Sequence, residues 1–218
     1  MWWLMPLIVR LWQGASPSPV RRAGVVGYGY PYSSAMPLLV AATAPELCGV
    51  EGLVCGVGPV EAAATVAAAL QRDRPDAVVH VGIAGARGIS PGTVVIGAEA
   101  VYCDLAAAFP LVDRAAADPL LLGAARRALP NAPVVRIGTS GAVGGVAHDV
   151  PVEAMEGFGV LRAAALAGVP ALEVRSVSNE IGEGDRSLWR IDEALGALAA
   201  VLSVLLASAS AALGSRAG

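Results

Sequence analysis

Residues 76–86 read DAVVHVGIAGA, and this stretch decides the fold. Positions 77–83 form an almost unbroken apolar run, which is typical of a strand buried on both faces of a parallel sheet. The segment Gly82–Gly85 follows at the carboxyl end of that run. His80 lies inside the run, and we expect it to be a hydrogen-bonded core histidine and not a metal ligand.

Apolar strands and helical segments alternate on both sides of this stretch. Further strands are predicted at residues 38–42, 53–57, 93–102, 134–137 and 172–178, and helices at residues 60–71, 119–128, 153–167 and about 188–207. This alternation predicts an α/β fold, with right-handed crossovers between parallel strands. We expect one three-layer domain over residues 36–218, with a mostly parallel central mixed sheet flanked by helices.

Ligands of open α/β sheets bind beyond the carboxyl ends of the strands. The segments at these positions are Thr43–Glu46, Gly56–Pro59, Ile83–Gly85 and Ser178–Asn179. The turn Gly56-Val57-Gly58 before a helix could hold a phosphate through its backbone N–H groups. However, Glu61 interrupts the GxGxxG pattern, so a tight strand-to-helix turn is the simpler interpretation.

Composition excludes several classes of protein. The 218-residue chain has a net charge of −3 with 15% charged residues, which is unlike a nucleic-acid-binding surface. All 15 basic residues are arginine, so Schiff-base and P-loop lysine chemistry are excluded. Three cysteines and two histidines show no metal-ligand spacing, so we expect buried reduced thiols, no metal and no cofactor.

Two apolar segments bear on membrane association and on domain organisation. Residues 194–215 carry no charge, but the leucine spacing in this Ala-rich stretch predicts a buried C-terminal helix of a domain that does not enter a membrane. Residues 1–35 hold three of the four Trp and three of the four Tyr without any period. We expect them to be an extension outside the fold; the alternative is an ordered arm.

Several segments, in this order, resemble the purine nucleoside phosphorylase/nucleosidase superfamily. They are MPLLVAATAPE, CGVGPVEAAATVAAAL, DAVVHVGIAGA, GTVVIGAEAVYCD, VEAMEG and LEVRSVSN, spread over residues 36–179. Within the superfamily, methylthioadenosine/adenosylhomocysteine nucleosidases end the later strand in Ser-Asp, whereas this chain has Ser178-Asn179. Together with Met155-Glu156-Gly157 and the downstream Asp185–Trp189, this difference makes the chain similar to futalosine hydrolases.

The resemblance implies hydrolysis of the N-glycosidic bond of futalosine, with release of hypoxanthine, in menaquinone biosynthesis. It implies that Glu46 activates water, that Glu156 holds the ribose hydroxyls and that Asn179 stabilises the departing base. The implied substrate-binding residues are Ala84, Gly85, Met155, Glu156 and Asn179. It also implies a small-molecule nucleoside as the partner, a cytoplasmic location and a homodimer, without nucleic acid.

Asn179 supports a 6-oxopurine on chemical grounds as well. Hypoxanthine presents O6 and N7, which are both acceptors before protonation, and an amide can donate to them. A carboxylate would repel O6, although it could accept from the 6-amino group of adenine.

Three alternatives remain at this point. The first is a methylthioadenosine/adenosylhomocysteine nucleosidase, and the second is a purine nucleoside phosphorylase, for which Arg87 after GIAG could bind phosphate. The third is a non-catalytic nucleoside-binding protein. The sequence leaves open which arginine binds the distal carboxylate of futalosine and which residues of the segment Gly138–Val152 contact the base.

Overall fold

The computed structural model describes residues 36–143 and 149–215. The predicted extension at residues 1–35 and His148 lie outside the described residues. The elements within these ranges are β1 (Leu38–Ala41), β2 (Leu53–Val54), α1 (Pro59–Asp73), β3 (Val78–Ala86), β4 (Val94–Tyr102), β5 (Arg114–Ala116), α2 (Pro119–Ala128), β6 (Val134–Thr139), β7 (Val152–Ala154), α3 (Gly157–Ala167), β8 (Ala171–Glu180) and α4 (Ile191–Gly214). Two 3-10 helices, Ala44–Leu47 and Arg186–Leu188, follow β1 and precede α4.

Strand β3, which contains the deciding stretch, is central to the sheet. It pairs in parallel with β1 and with β8, and its carboxyl end pairs antiparallel with β7. Val78, Val79 and Val81 are fully buried, as an apolar strand covered on both faces requires. His80 is also fully buried and contacts the carbonyl of Val40, so the prediction of a core histidine is confirmed.

The sheet is mixed and closes on itself. From β3 the pairing runs through β8, β4, β6 and β7 and returns to β3. Among the described strands, five pairings are parallel and three are antiparallel. The predicted α/β fold with a mixed sheet and flanking helices is confirmed. The expectation of a mostly parallel sheet in a three-layer stack does not fit, because the sheet is mixed and closes on itself.

Helices cover both faces of the sheet, and the pleat of β1 separates two apolar clusters. Leu39 belongs to the cluster in which α2 packs against α4, whereas Leu38 and Val40 belong to the cluster formed by α1 and α3. This division follows from the alternation of side chains along a strand.

The prediction of a helix over residues 153–167 is wrong at its beginning. Val152–Ala154 forms strand β7, which pairs with β3 through Gly85–Glu153 and with β6 through Ile137–Val152. Helix α3 begins only at Gly157, with Glu156 as its N-cap residue. Glu153 is therefore a strand residue and not the first residue of a helix.

Helix α4 is long and apolar enough to cross a membrane by length and composition. However, Leu198, Leu202 and Leu205 are buried in the cluster shared with α2. The predicted packing of a C-terminal helix on the domain is confirmed, with bounds at Ile191–Gly214 in place of 188–207.

The three cysteines do not form disulfides with one another. Cys55 is buried, and burial together with the nearby Glu156 carboxylate raises the pKa of its thiol to about 12. Cys48 and Cys103 are half-buried, so the prediction of free thiols is confirmed, although full burial holds for Cys55 alone.

Candidate active site

A cavity of about 430 Å³ opens where the carboxyl ends of β1, β3 and β8 meet. Its walls come from the four segments that the sequence places beyond strand ends, joined by β7 and by the first turns of α4. The lining residues are Ala42, Thr43, Pro45, Glu46, Val57, Ile83, Ala84, Gly85, Ala142, Val143, Glu153, Ala154, Met155, Glu156, Ser178, Asn179, Ile181, Gly182, Arg186, Trp189, Ile191 and Leu195. All six residues expected for catalysis or substrate binding are in this set.

Glu46 lies in the 3-10 helix directly after β1 and is 7% exposed. Its Oε2 accepts the backbone N–H of Thr43 at 2.9 Å and the Thr43 hydroxyl at 2.7 Å. Its Oε1 accepts the backbone N–H of Ile83, from β3, at 3.0 Å. These bonds hold the carboxylate at the junction of two strands, with acceptor capacity left on both oxygens.

Glu156 is held by the glycine turn between β2 and α1. Its Oε1 accepts the backbone N–H of Gly58 at 3.2 Å. Gly58 is the N-cap of α1 and has a φ of 94°, which favours glycine. The turn that could have bound a phosphate therefore binds a carboxylate of the protein itself at the N-terminus of a helix.

Arg175, in the middle of β8, is fully buried beneath these carboxylates. Its Nη2 lies 3.3 Å from Oε2 of Glu156, and its Nε donates to Oε1 of Glu173 at 2.8 Å. A Cβ at position 82 would overlap this guanidinium and crowd Glu46, so glycine there makes room for both. Burial lowers the pKa of Arg175, but the carboxylates Glu173, Glu156 and Glu46 outweigh it and raise this pKa above its usual value.

Glu173 and His80 complete the buried network. Since Nδ1 of His80 faces the Val40 carbonyl at 3.1 Å, Nδ1 carries the proton and Nε2 accepts from Arg175. Burial lowers the pKa of His80 well below its usual value, and the charge of Arg175 lowers it further. Burial raises the pKa of Glu173, although Arg175 opposes this effect.

Sequence reasoning did not assign Glu173 or Arg175 to the site. The signal that could have found them is the pattern Glu-Val-Arg inside a predicted central strand, because charges in a central strand need partners.

Asn179 ends the run of buried residues on β8, opposite Gly85 after a bulge in the β3–β8 register. Its Nδ2 donates to the carbonyl of Glu180 at 2.9 Å, and its Oδ1 accepts the hydroxyl of Ser178 at 2.7 Å. The Glu180 carbonyl is an acceptor only, so it determines the orientation of the amide. Among the described residues no acceptor is recorded for the second N–H of Nδ2, which can donate to a ligand.

Met155 and Ala84 lie beside these groups. Met155 is half-buried between β7 and α3, next to Glu156. The Ala84 carbonyl lies 3.2 Å from the hydroxyl of Ser178. Arg87 is exposed, donates to the carbonyl of Val150 at 3.0 Å and is not part of the cavity lining.

The cavity is acidic at its buried end. Within residues 36–143 and 149–215, its lining includes the carboxylates Glu46, Glu153 and Glu156 and a single guanidinium, that of Arg186. The same ranges contain no group of three or more His, Cys, Asp and Glu side chains that could hold a metal ion. The carboxylates suit a neutral polar part of a ligand on which positive charge develops.

Comparison with known sequences identifies the family of this chain and two similar proteins. The profile of the family described as Phosphorylase superfamily matches residues 50–211. The futalosine hydrolase of Streptomyces coelicolor is 38% identical over 182 residues, covering 67% of this chain and 74% of that protein. The futalosine hydrolase of Thermus thermophilus is 32% identical over 188 residues, covering 71% of this chain and 80% of that protein.

Solved structures share the fold at lower identity. The S-adenosylhomocysteine nucleosidase of Streptococcus pyogenes, in complex with 5-methylthiotubericidin, superposes with a TM-score of 0.70 at 23% identity, covering 80% of this chain and 98% of that one. A futalosine hydrolase mutant of Helicobacter pylori gives a TM-score of 0.70 at 15% identity, covering 78% and 97%.

Proposed function

The chain belongs to the phosphorylase superfamily, and from this premise we infer that it hydrolyses the N-glycosidic bond of futalosine and releases hypoxanthine. Two futalosine hydrolases match it over most of its length. The observation that carries the inference within the site is the Asn179 amide, oriented by the Glu180 carbonyl in the same cavity as Glu46 and Glu156. This amide offers an N–H donor where a 6-oxopurine has acceptors.

The proposed reaction is dissociative. The bond between N9 of the purine and C1′ of the sugar breaks, and its electron pair stays on the purine. The sugar becomes an oxocarbenium ion, and a water oxygen then adds to C1′. Glu46 takes a proton from this water, and the departing purine takes a proton from solvent. Glu46 then returns its proton to solvent, so the net reaction adds one water across the broken bond. General-base assistance of this kind typically contributes about 10²–10⁴-fold.

Asn179 is proposed to stabilise the negative charge that builds on the departing base. Its remaining N–H is proposed to donate to the edge formed by N7 and O6, while its other N–H is bound to the Glu180 carbonyl. Ser178 donates to Oδ1 of Asn179 and thereby holds the amide in this orientation. Preorganised donors at developing charge are worth more than donors that must reorient during the reaction.

Glu156 is proposed to bind the ribose hydroxyls and to favour the oxocarbenium ion by its charge. The Arg175 guanidinium at 3.3 Å and the backbone N–H of Gly58 at 3.2 Å hold this carboxylate in place. Met155 packs against the sugar, and the backbone of Ala84 and Gly85 forms the wall beside the base. We propose that this chemistry uses no cofactor.

Hydrolysis is favoured over phosphorolysis by the charge of the cavity. Phosphate is a dianion, and three carboxylates line the cavity. Arg87, the residue that could have served as a phosphate ligand, is directed to the Val150 carbonyl outside it. For a methylthioadenosine-type nucleosidase the same framework would serve, but Asn179 favours the 6-oxopurine.

We further propose that the enzyme acts in menaquinone biosynthesis in the cytoplasm as a homodimer. These three statements rest on the resemblance to futalosine hydrolases.

The test is release of free base from purified protein with and without phosphate. We expect hypoxanthine from futalosine at the same rate in both conditions and little adenine from methylthioadenosine. A rate that requires phosphate would indicate a phosphorylase, and faster cleavage of methylthioadenosine would indicate the other nucleosidase class. Binding of futalosine without release of base would indicate a nucleoside-binding protein.

A further inference from the structure

The loop between β8 and α4 contributes Ile181, Gly182, Arg186 and Trp189 to the cavity lining. It leaves the sheet just after Asn179 and returns at Arg190, whose backbone N–H donates to the Ser178 carbonyl at 2.8 Å. The indole N–H of Trp189 donates to the Glu183 carbonyl at 3.0 Å within the loop. The loop is therefore anchored beside the residue proposed to bind the base.

Arg186 and Trp189 form a pair within this loop. The guanidinium carbon of Arg186 lies 5.3 Å from the centre of the Trp189 ring, and both residues line the cavity. No ion pair of Arg186 with a carboxylate is recorded among the described residues, whereas the neighbouring Arg190 is paired with Glu193 at 2.6 Å. The adjacent Asp185 accepts from the backbone and hydroxyl of Ser187. Arg186 is thus a cation held by a ring, with donors left for an anion.

The same cavity also has apolar lining residues. Ile191 and Leu195, from the first turns of α4, line the cavity together with Pro45. The carbonyl of Leu195 contacts Sγ of Cys48 at 3.7 Å, so α4 lies directly against the segment that carries Glu46. The Trp189 indole and these aliphatic side chains give the cavity apolar surface against which a flat apolar group could pack.

The cavity lining contains groups of opposite charge. Glu46 and Glu156 are acidic and would repel an anion, whereas Arg186 carries a guanidinium beside an aromatic ring. A guanidinium is the preferred protein partner of a carboxylate, with which it forms bidentate hydrogen bonds.

We propose that Arg186 and Trp189 form the subsite for the aryl carboxylate at the distal end of the substrate. This inference rests on the proposed function, since futalosine carries a benzoate remote from its purine. Arg186 binds the carboxylate, and Trp189 packs against the aryl ring. Arg186 is then the arginine that binds the distal carboxylate, which the sequence alone did not identify.

The test compares futalosine with its methyl ester, which replaces the distal carboxylate with a neutral ester. In the wild-type protein kcat/KM should be roughly 10- to 100-fold higher for the acid, as expected for one charge-assisted contact. Arg186→Gln should abolish this preference by lowering kcat/KM for the acid and leaving the ester unchanged. Arg190→Gln is the matched control, because it removes the same charge from a residue outside the cavity lining, and it should keep the preference.

Trp189→Leu tests the ring contact. It should lower kcat/KM for acid and ester alike and leave product inhibition by hypoxanthine unchanged. Weaker inhibition by hypoxanthine would assign Trp189 to the base and would overturn its part of the proposal. An equal loss on acid and ester in Arg186→Gln, or no loss on either, would overturn the assignment of Arg186.

A measurement without turnover separates this proposal from the proposed function. In titration calorimetry, benzoate should bind the wild-type protein and Arg190→Gln, and binding should be lost in Arg186→Gln. Benzoate binding that depends on Arg186 in a protein that does not cleave futalosine would refute the function and support the subsite. Cleavage of futalosine, with benzoate binding unaffected by Arg186→Gln, would support the function and refute the subsite.

Discussion

Nη2 of Arg175 lies 3.3 Å from Oε2 of Glu156, and the side chains are 0% and 5% exposed. The ion pair is therefore shielded from water on the protein side, while Glu156 also lines the cavity. Arg175 is paired with Glu173 as well, and Glu46 also acts on its charge, so one buried guanidinium serves three carboxylates. This relationship makes the charge of Glu156 the first target for mutation.

Glu156→Gln should lower kcat on futalosine by about 10²–10³-fold, because a neutral amide no longer favours the oxocarbenium ion. The variant should fold, since Arg175 retains Glu173 as a partner. The measurement is turnover at saturating futalosine, with the melting temperature as a check on folding. Glu61→Gln, which removes an exposed carboxylate on α1, is the control and should match the wild type. Near-wild-type turnover in folded Glu156→Gln would remove the centre of the mechanism.

Glu46→Gln should lower kcat by about 10²–10⁴-fold through loss of the base for water. Both oxygens of Glu46 accept N–H groups, so the amide also faces one donor unfavourably. Thr43→Val is the comparison: it deletes the hydroxyl donor at 2.7 Å but keeps the carboxylate. Its loss of kcat should stay below roughly tenfold, in line with one hydrogen bond. Equal losses in the two variants would argue for a structural role of Glu46.

Asn179→Asp should impair hypoxanthine release, because a carboxylate would face both the Glu180 carbonyl and O6 of the base. Only a protonated aspartic acid can donate, so the loss relative to wild type should be larger at about pH 8 than at about pH 5.5. Asn131→Asp changes the other asparagine of the chain, which is exposed, and serves as the control. A loss that is independent of pH would contradict the proposed donor role.

Gly157→Ala should destabilise the protein by roughly 1–3 kcal/mol, because a Cβ at this position would overlap the buried carboxylate of Glu173. Gly196→Ala is the matched change in an exposed helical position with open space around it. It should stabilise by roughly 0.5–1 kcal/mol through the helix preference of alanine. Urea unfolding measures the free energy of unfolding of both variants, which should change in opposite directions. Similar changes in the two variants would refute the argument.

His80 should make stability fall in acid. Its pKa is lowered in the folded protein, so the unfolded chain binds the proton first and stability decreases as pH falls below the ordinary value of 6.5. In a His148→Gln background, where His80 is the remaining histidine, the decrease should reach about 1.4 kcal/mol per pH unit. Additional replacement His80→Gln should remove this component from the free energy of unfolding. Parallel pH profiles for the two proteins would show that His80 does not titrate on unfolding.

The local sequence pattern was sufficient to predict many of the strands and helices and several residues of the site. The apolar run of β3, the helix Pro119–Ala128 and the polar residues after strand ends could all be predicted, because burial and periodicity act over a few neighbouring residues. Glu46, Glu156 and Asn179 could be proposed together for the same reason, since strand ends of one sheet meet at one edge.

Tertiary structure alone decided the remaining features. Strand β7 has three residues and exists through its pairing with β3 and β6, so the apparent helix signal around Glu153 was misleading. The grouping of Arg175 with Glu173 and His80 depends on the register of β8 against β3. Arg186 reaches the cavity because its loop returns to Ser178. Each of these depends on contacts between residues far apart in the chain, which the pattern of neighbouring residues does not encode.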